Sequence, residues 1–117
     1  MVNEISRIQT GHRMSQVVVA NGVVYVSGQI PDTTGASIAS QASDVLGKID
    51  GLLAAAGIDK TRVLSANVWL SSPQHFEEFN SVWDAWVVEG HAPARACVQA
   101  LLMRPGIDVE VAVTALA

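Results

Sequence analysis

The segment VVVANGVVYVS, residues 17–27, carries the strongest local structural signal in the chain. Two runs of β-branched residues flank Asn21-Gly22, a pair that tolerates the positive φ angles of a two-residue turn. The pattern therefore predicts a β-hairpin. The next segment, IPDTTGAS at residues 30–37, is rich in turn-forming residues and predicts a loop between the hairpin and the rest of the domain.

Two helices follow the hairpin in the prediction. The first ends at Gly57, which suits a C-terminal cap, and its apolar residues recur at helical spacing: Val45, Leu46, Ile49, Leu52, Leu53 and Ala56. The second begins at Ser72-Pro73, an N-cap serine followed by a proline in the first turn. Its aromatic residues fall on one stripe, formed by Phe76, Phe79, Trp83 and Trp86.

Three further strands complete the predicted fold. They lie within residues 61–71, 95–100 and 107–114, where successive residues alternate between two unlike faces. In the second of these strands, Arg95, Cys97 and Gln99 share a face. The element order predicts an α+β sheet with right-handed crossovers, which place both helices on one face of the sheet. A second subunit is the simplest cover for the other face.

The composition predicts one domain over residues 1–117 that associates with other subunits. Half of the residues are hydrophobic, enough for a sizeable core, and only 15% are charged. Since an average globular protein has about 25% charged residues, part of the surface is expected to lie against another subunit. Seven Lys and Arg against eleven Asp and Glu give a formal charge of −4, without a clustered basic stripe. We therefore expect no nucleic-acid partner.

Several function classes are disfavoured by what the sequence lacks. One cysteine excludes an internal disulfide, and His12, His75 and His91 follow no metal-ligand spacing, so we predict no metal site. The N-terminal stretch MVNEISRIQT has no apolar signal core, and runs such as VVVA are far shorter than the roughly 20 residues that span a bilayer. These features predict a cytoplasmic protein without a membrane partner.

Two charged residues lie in apolar surroundings and are candidates for chemistry. Arg95 lies in HAPARACVQA, residues 91–100, and a guanidinium can grip a carboxylate through two parallel hydrogen bonds. Its alternative role is an internal ion pair with Glu110 or Asp108. Glu110 is flanked by valines, where desolvation would raise its proton affinity towards that of a general base, although a structural glutamate would have the same neighbours. The two candidates would be neighbours if their strands paired.

The remaining candidate residues have weaker patterns. Nothing near Cys97 in the sequence lowers the pKa of its thiol, so we interpret it as a small buried hydrophobe rather than a nucleophile. Ser27 lies in VSGQIP, where its hydroxyl either binds a ligand or makes a hydrogen bond that the turn needs. Gly28, the next residue, permits a close backbone approach.

Taken in order, the motifs resemble those of the Rid (YjgF) family of enamine/imine deaminases. The matching stretches are YVSGQIP at residues 25–31, Ser15-Gln16, PARACV at residues 93–98 and VEVAV at residues 109–113. The resemblance covers nearly the whole chain. It implies a chorismate-mutase-like α+β domain that forms a homotrimer, with the helices outside, the sheets inward and ligand clefts between subunits.

The resemblance also implies roles for individual residues. Arg95 matches the arginine that holds the substrate carboxylate, and Glu110 matches the glutamate that activates water. Cys97 matches the position whose backbone helps to hold the reacting nitrogen or water, while Ser27 and Gly28 match residues that line the cleft. Met14 stands where many members have a tyrosine. A flexible thioether there would accommodate larger side chains, so the substrate preference is expected to differ.

The implied reaction is the hydrolysis of 2-imino or 2-enamino acids, such as 2-aminoacrylate, to 2-oxo acids and ammonia, without a cofactor. Two alternatives stay open from the sequence. The trimer is either a non-catalytic binder of carboxylate metabolites that acts as a sensor, chaperone or translation regulator, or an aminoacrylate deaminase that belongs to one pathway.

Overall fold

The chain forms one mixed six-stranded sheet with two helices packed on one face, which confirms the predicted α+β class. The computed structural model describes residues 4–117, so residues 1–3 of the predicted domain lie outside the described residues. The elements are β1 (Ile5–Thr10), β2 (Ser15–Ala20), β3 (Val23–Gln29), α1 (Ile38–Ala55), β4 (Val63–Leu70), α2 (Phe76–Trp86), β5 (Ala94–Gln99) and β6 (Val109–Leu116).

The last strand of the chain lies in the middle of the sheet. The strand order is β1-β2-β3-β6-β4-β5, and every neighbouring pair is antiparallel except β4 and β5, which are parallel. Because β4 separates β5 from β6, the two final strands do not pair. Arg95 and Glu110 would be neighbours only if their strands paired, so within one chain they are not.

The predicted hairpin is confirmed as β2 and β3. Asn21 and Gly22 have φ angles of 51° and 76°, as the two-residue turn requires. Strand β1 was not predicted and pairs with β2 along the outer edge of the sheet. Its sequence, ISRIQT, places Ile5 and Ile8 three residues apart, a spacing that does not follow the alternation of a strand.

Both helices begin and end close to the predicted positions. The N–H of Gly57 donates to the carbonyl of Ala54 at 2.9 Å, and Gly57 has a φ angle of 81°, which confirms it as the C-terminal cap of α1. The side chain of Ser72 accepts a hydrogen bond from the N–H of Gln74. Ser72 therefore caps a short 3₁₀ turn, Pro73–His75, rather than α2, whose own N-cap residue His75 makes no side-chain capping hydrogen bond.

The hydrophobic core lies between the helices and one face of the sheet. Its largest fully buried apolar side chains are Phe79, Leu46, Ile49, Leu53, Val17, Val24, Val45, Val68, Val109 and Val111. The other face, called the open face below, has no covering element within residues 4–117. Apolar side chains on it are accordingly exposed, including Tyr25 at 50% and Val98 at 53%. None of the helices in the described part of the chain is long and apolar enough to cross a membrane.

Candidate functional site

Arg95 lies on the edge strand β5 and points towards the helices. It ends a cross-strand row that starts at Val26 and continues through Val113 and Ala66, all three of which are buried against the helices. Half-buried Arg95 therefore packs beside α2, and Cys97 and Gln99 lie on the same face, as predicted.

The guanidinium of Arg95 is held by aromatic rings and one amide. Its Cζ lies 5.1 Å from the ring centroid of Trp83, 5.9 Å from that of Phe76 and 6.0 Å from that of Phe79. Its Nη1 donates to Oδ1 of Asn80 at 2.9 Å. A guanidinium has five N–H donors in a planar fork, so this single bond orients the group and leaves donors for a ligand.

Asn80 is a site residue that the sequence reasoning missed. It lies on α2 four residues after Phe76 and three residues before Trp83, which places it on the aromatic stripe that faces Arg95. A polar residue on an otherwise aromatic helical stripe was the available signal. The rings supply cation–π attraction and the amide supplies direction, so α2 fixes the orientation of the arginine.

The ion pair with Asp108 that the sequence left open does not form, because that carboxylate is used elsewhere. It accepts hydrogen bonds from Oγ of Ser71 at 2.6 Å and from Nε2 of Gln41 at 3.1 Å. The backbone N–H of Asp108 donates to Oε1 of Gln41, which is almost fully buried. This network fixes the start of β6 against α1 and the end of β4, and Glu110 follows two residues later.

Glu110 lies on the open face, directly against Gly28. A β-bulge at residues 27–28 interrupts the pairing of β3 with β6, between Val26↔Val113 and Gln29↔Val111. A Cβ added to Gly28 would lie 2.2 Å from Oε2 of Glu110 and 3.1 Å from its Cδ. Gly28 was predicted to permit a close approach, and the approaching group is this carboxylate. Burial raises the pKa of the Glu110 carboxyl above its ordinary value.

Ser27 belongs to a small polar cluster beside the bulge. Its Oγ donates to Oε1 of Gln16 at 2.9 Å, and Nε2 of Gln29 donates to the same Oε1 at 2.8 Å. Gln29 also donates to the carbonyl and to Oγ of Ser27, both at 3.1 Å. These bonds give the polar groups of the bulge their hydrogen-bond partners, so the structure supports the structural role for Ser27 that the sequence left open.

Cys97 is half-buried beside Arg95 and borders an apolar cavity of about 280 Å³, whose other walls are Leu70, Ser72, Pro73, Phe76, Val98 and Gln99. Burial raises the pKa of the Cys97 thiol, although the nearby positive charge of Arg95 acts in the opposite direction. A thiol with a raised pKa is protonated at neutral pH, so it is a poor nucleophile.

Met14 lies in the turn between β1 and β2, and it is 46% exposed. Its carbonyl accepts a hydrogen bond from the N–H of Gly11 at 2.8 Å, which closes the turn. Within residues 4–117, no group of three or more His, Cys, Asp or Glu side chains is arranged to hold a metal ion.

Arg95 and Glu110 point to opposite sides of the sheet. Glu110 is paired with Trp69, which is paired with Val98, and this row faces the open side, whereas the row that ends at Arg95 faces the helices. The site therefore consists of two parts in one chain. We call them the arginine side (Arg95, Asn80, Cys97, Phe76) and the glutamate side (Glu110, Gly28, Ser27, Trp69).

Comparisons with known proteins agree over almost the whole chain. Residues 4–117 match the family described as Endoribonuclease L-PSP. The RutC family protein YoaB of Escherichia coli is 40% identical over 111 residues, which cover 95% of this chain and 96% of YoaB. A YjgF-family crystal structure from Neisseria meningitidis has 43% identity and a TM-score of 0.96, covering 99% of this chain and 97% of that one.

A more distant solved structure is similar in fold. The Rid-family protein YyfA of Yersinia pestis is 27% identical and has a TM-score of 0.91, with coverage of 97% of this chain and 100% of that one.

Proposed function

The chain belongs to the Endoribonuclease L-PSP family, which includes the YjgF and Rid proteins, and we propose that it is an enamine/imine deaminase. The observation that carries the proposal is the Glu110 carboxylate, which sits partly desolvated against a glycine with its pKa raised. A carboxylate in that state is a better general base than one in water. Arg95, held by Asn80, supplies the matching anchor for an acid group.

The two sides of the site come together between subunits in this proposal. In a homotrimer, the arginine side of one protomer would face the glutamate side of its neighbour, with the open faces of the sheets turned inward. Two features support the arrangement. Arg95 and Glu110 lie on opposite faces of one sheet, so a shared cleft requires a second copy, and the open face carries apolar residues that an interface would cover.

The reaction is the addition of water across a carbon–nitrogen double bond. Arg95 binds the substrate carboxylate and thereby fixes C2 of the imine in place. Glu110 takes a proton from a water molecule whose oxygen bonds to C2, and the protonated Glu110 returns that proton to the imine nitrogen, so that a neutral carbinolamine forms. The hydroxyl proton of the carbinolamine then moves to the nitrogen in the same way, and the carbon–nitrogen bond breaks with its electron pair leaving on ammonia. The oxygen that came from water becomes the 2-oxo oxygen of the product.

The demands on the protein are modest, because imines also hydrolyse in water. Anchoring the acid group and positioning one general base each contribute about 10²-fold or more. The Cys97 thiol is not needed as a nucleophile in this scheme. Because Cys97 lies on the arginine side, the backbone of Cys97 would help to hold the reacting nitrogen or the water.

An imine-trapping assay tests the proposal. A dehydratase that acts on serine generates 2-aminoacrylate, and semicarbazide traps whatever imine remains. The protein should lower the yield of semicarbazone in proportion to its concentration. Glu110→Gln should lose about 10²-fold or more of that effect, whereas Glu77→Gln, the same change at an exposed position on α2, should retain it. If the wild-type protein leaves the semicarbazone yield unchanged, the proposed activity is wrong.

The non-catalytic alternative makes a different prediction for the same residues. A sensor of carboxylate metabolites would need Arg95 for binding, but it would function normally as Glu110→Gln. A chaperone or a translation regulator would need neither side chain. An aminoacrylate deaminase of one pathway would need both residues and would accept a narrow set of enamines, which a substrate panel detects.

A further inference from the structure

A polar cavity between the sheet and α1 lies apart from both the arginine side and the glutamate side. It has a volume of about 430 Å³, and β1, β2, the end of β3 and the middle of α1 form its walls. Its lining combines three glutamines and one lysine with two positions that carry no polar side chain: Gln9, Gln16, Gln29, Lys48, Gly51 and Leu52. The described lining contains no carboxylate.

Two amides of this lining keep atoms that have no hydrogen-bond partner. Nε2 of Gln29 donates to the carbonyl of Ser27, which identifies the nitrogen of that amide, and it also donates to Oε1 of Gln16. Oε1 of Gln29 and Nε2 of Gln16 therefore remain, and neither has a partner among residues 4–117. Gln29 is only 8% exposed, and no fully buried side-chain nitrogen or oxygen of the described chain lacks a partner. The free Oε1 of Gln29 therefore faces the cavity.

Lys48 supplies the positive charge of the described lining. Its Nζ donates to the carbonyl of Ile30 at 2.7 Å and to Oδ1 of Asp32 at 2.6 Å, which uses two of its three N–H groups. The Asp32 side chain is 78% exposed and lies outside the lining, so water screens this ion pair. One N–H group of Lys48 is therefore available to an anionic ligand.

The backbone of Gln9 adopts a conformation that is uncommon for glutamine, with a φ angle of 52°. The pairing of β1 with β2 is regular up to Ile8 and resumes at Thr10. Because Ile8 pairs with Val17, which is buried against the helices, alternation would turn Gln9 to the open face, yet Gln9 lines the cavity beside α1. Strained residues of this kind cluster at functional sites, and here the strain brings a third amide to the cavity.

We propose that this cavity is a second ligand site, which binds a free α-amino acid. The two carboxylate oxygens match the free N–H of Lys48 and the amide N–H groups of Gln16, and the adjacent ammonium matches Oε1 of Gln29. A 2-oxo acid would instead bring a carbonyl oxygen towards Oε1 of Gln29, leaving two acceptors without a proton. A phosphate dianion carries more negative charge than one lysine balances. The inference concerns binding alone and does not depend on the proposed function.

Isothermal titration calorimetry tests the binding, in the Arg95→Ala variant so that the arginine side cannot hold the ligand. The probes are L-leucine, whose side chain would lie against Gly51 and Leu52, 4-methylpentanoate, which lacks the ammonium, and 3-methylbutylamine, which lacks the carboxylate. L-Leucine should bind about 10-fold or more tightly than either analogue, and inorganic phosphate should not compete with it. Equal affinity for an analogue, competition by phosphate, or no binding of L-leucine at about 10 mM would overturn the proposal.

Variants and an NMR titration locate the bound amino acid. Lys48→Met keeps the length of the side chain but removes its charge, so it should weaken L-leucine binding about 10-fold, whereas Lys60→Met, the same change at the other lysine of the chain, should not. Gln9→Gly should weaken binding without lowering Tm, because glycine tolerates the positive φ angle. In the wild-type protein, L-leucine should shift the side-chain amide resonances of Gln16 and Gln29. Unshifted resonances, or unchanged binding in Lys48→Met or Gln9→Gly, would overturn the site whether or not the protein hydrolyses imines.

Discussion

Replacing Gly28 by alanine tests whether the position of the Glu110 carboxylate matters for activity. The added Cβ would lie 2.2 Å from Oε2, whereas ordinary van der Waals contact begins at 3.4 Å, so the carboxylate has to move by about 1 Å. A displacement of that size in a catalytic group costs about 10²-fold in rate. The fold should survive, because the clash is with the end of a side chain that can adopt another rotamer for about 1 kcal/mol.

The assay is imine hydrolysis with semicarbazide trapping, together with thermal unfolding. We expect kcat/KM of Gly28→Ala to fall about 10²-fold while Tm falls by only a few degrees, on the order of 4 °C. Gly47→Ala is the matched control, since no atom lies within 4 Å of its added Cβ and it is in the interior of α1. It should keep full activity and gain about 1 kcal/mol of stability. Full activity in Gly28→Ala would show that the position of the Glu110 carboxylate does not matter for catalysis, and loss of the fold would show that Gly28 has a structural role instead.

Three further predictions follow from the same geometry. Asn80→Ala removes the acceptor that orients the guanidinium, so KM should rise about 5-fold with kcat little changed. An unchanged KM in this variant would contradict the role of Asn80. Because the pKa of Glu110 is raised and the base must be ionised, kcat/KM should fall with decreasing pH through a pKa above the ordinary glutamate range, and a pH–rate profile without that limb would exclude Glu110 as the base. Because the pKa of the Glu110 carboxyl is raised, the folded state binds this proton more tightly than the unfolded state does, and the contribution of Glu110 to stability falls as pH rises through the folded pKa. Glu110→Gln should therefore have a higher Tm than wild type at neutral pH but not in acid. Thermal unfolding at both pH values tests this.

The parts of the fold that the sequence predicts are those with local causes. The turn at Asn21-Gly22 and the cap at Gly57 depend on residues within a few positions of one another, and both are confirmed. Ser72 also acts locally, but it caps the 3₁₀ turn that leads into α2. The shared face of Arg95 and Cys97 follows from the alternation of a single strand in the same way. Local chemistry acts identically in the isolated segment and in the folded chain, so it can be inferred without knowing the topology.

What the sequence could not predict depends on contacts between distant segments. The insertion of β6 between β3 and β4 decides that Arg95 and Glu110 face opposite sides of the sheet, and no feature of either strand alone specifies its neighbours. The contact of Gly28 with Glu110 joins residues 82 positions apart and depends on the bulge in β3. Asn80 combines both situations. Its position on the aromatic stripe of α2 can be predicted from helical spacing, but its hydrogen bond to Arg95 cannot.

Subunit mixing shows directly whether one active site uses Arg95 of one subunit and Glu110 of the next. Arg95→Ala and Glu110→Gln should each be inactive alone. When the two are denatured together and refolded in equal amounts, random assembly of a ring places an intact arginine side against an intact glutamate side at about one quarter of the interfaces. Imine hydrolysis should therefore recover to about one quarter of the wild-type rate. A mixture that stays as inactive as its components, with mixed oligomers demonstrated by mass spectrometry, would contradict it.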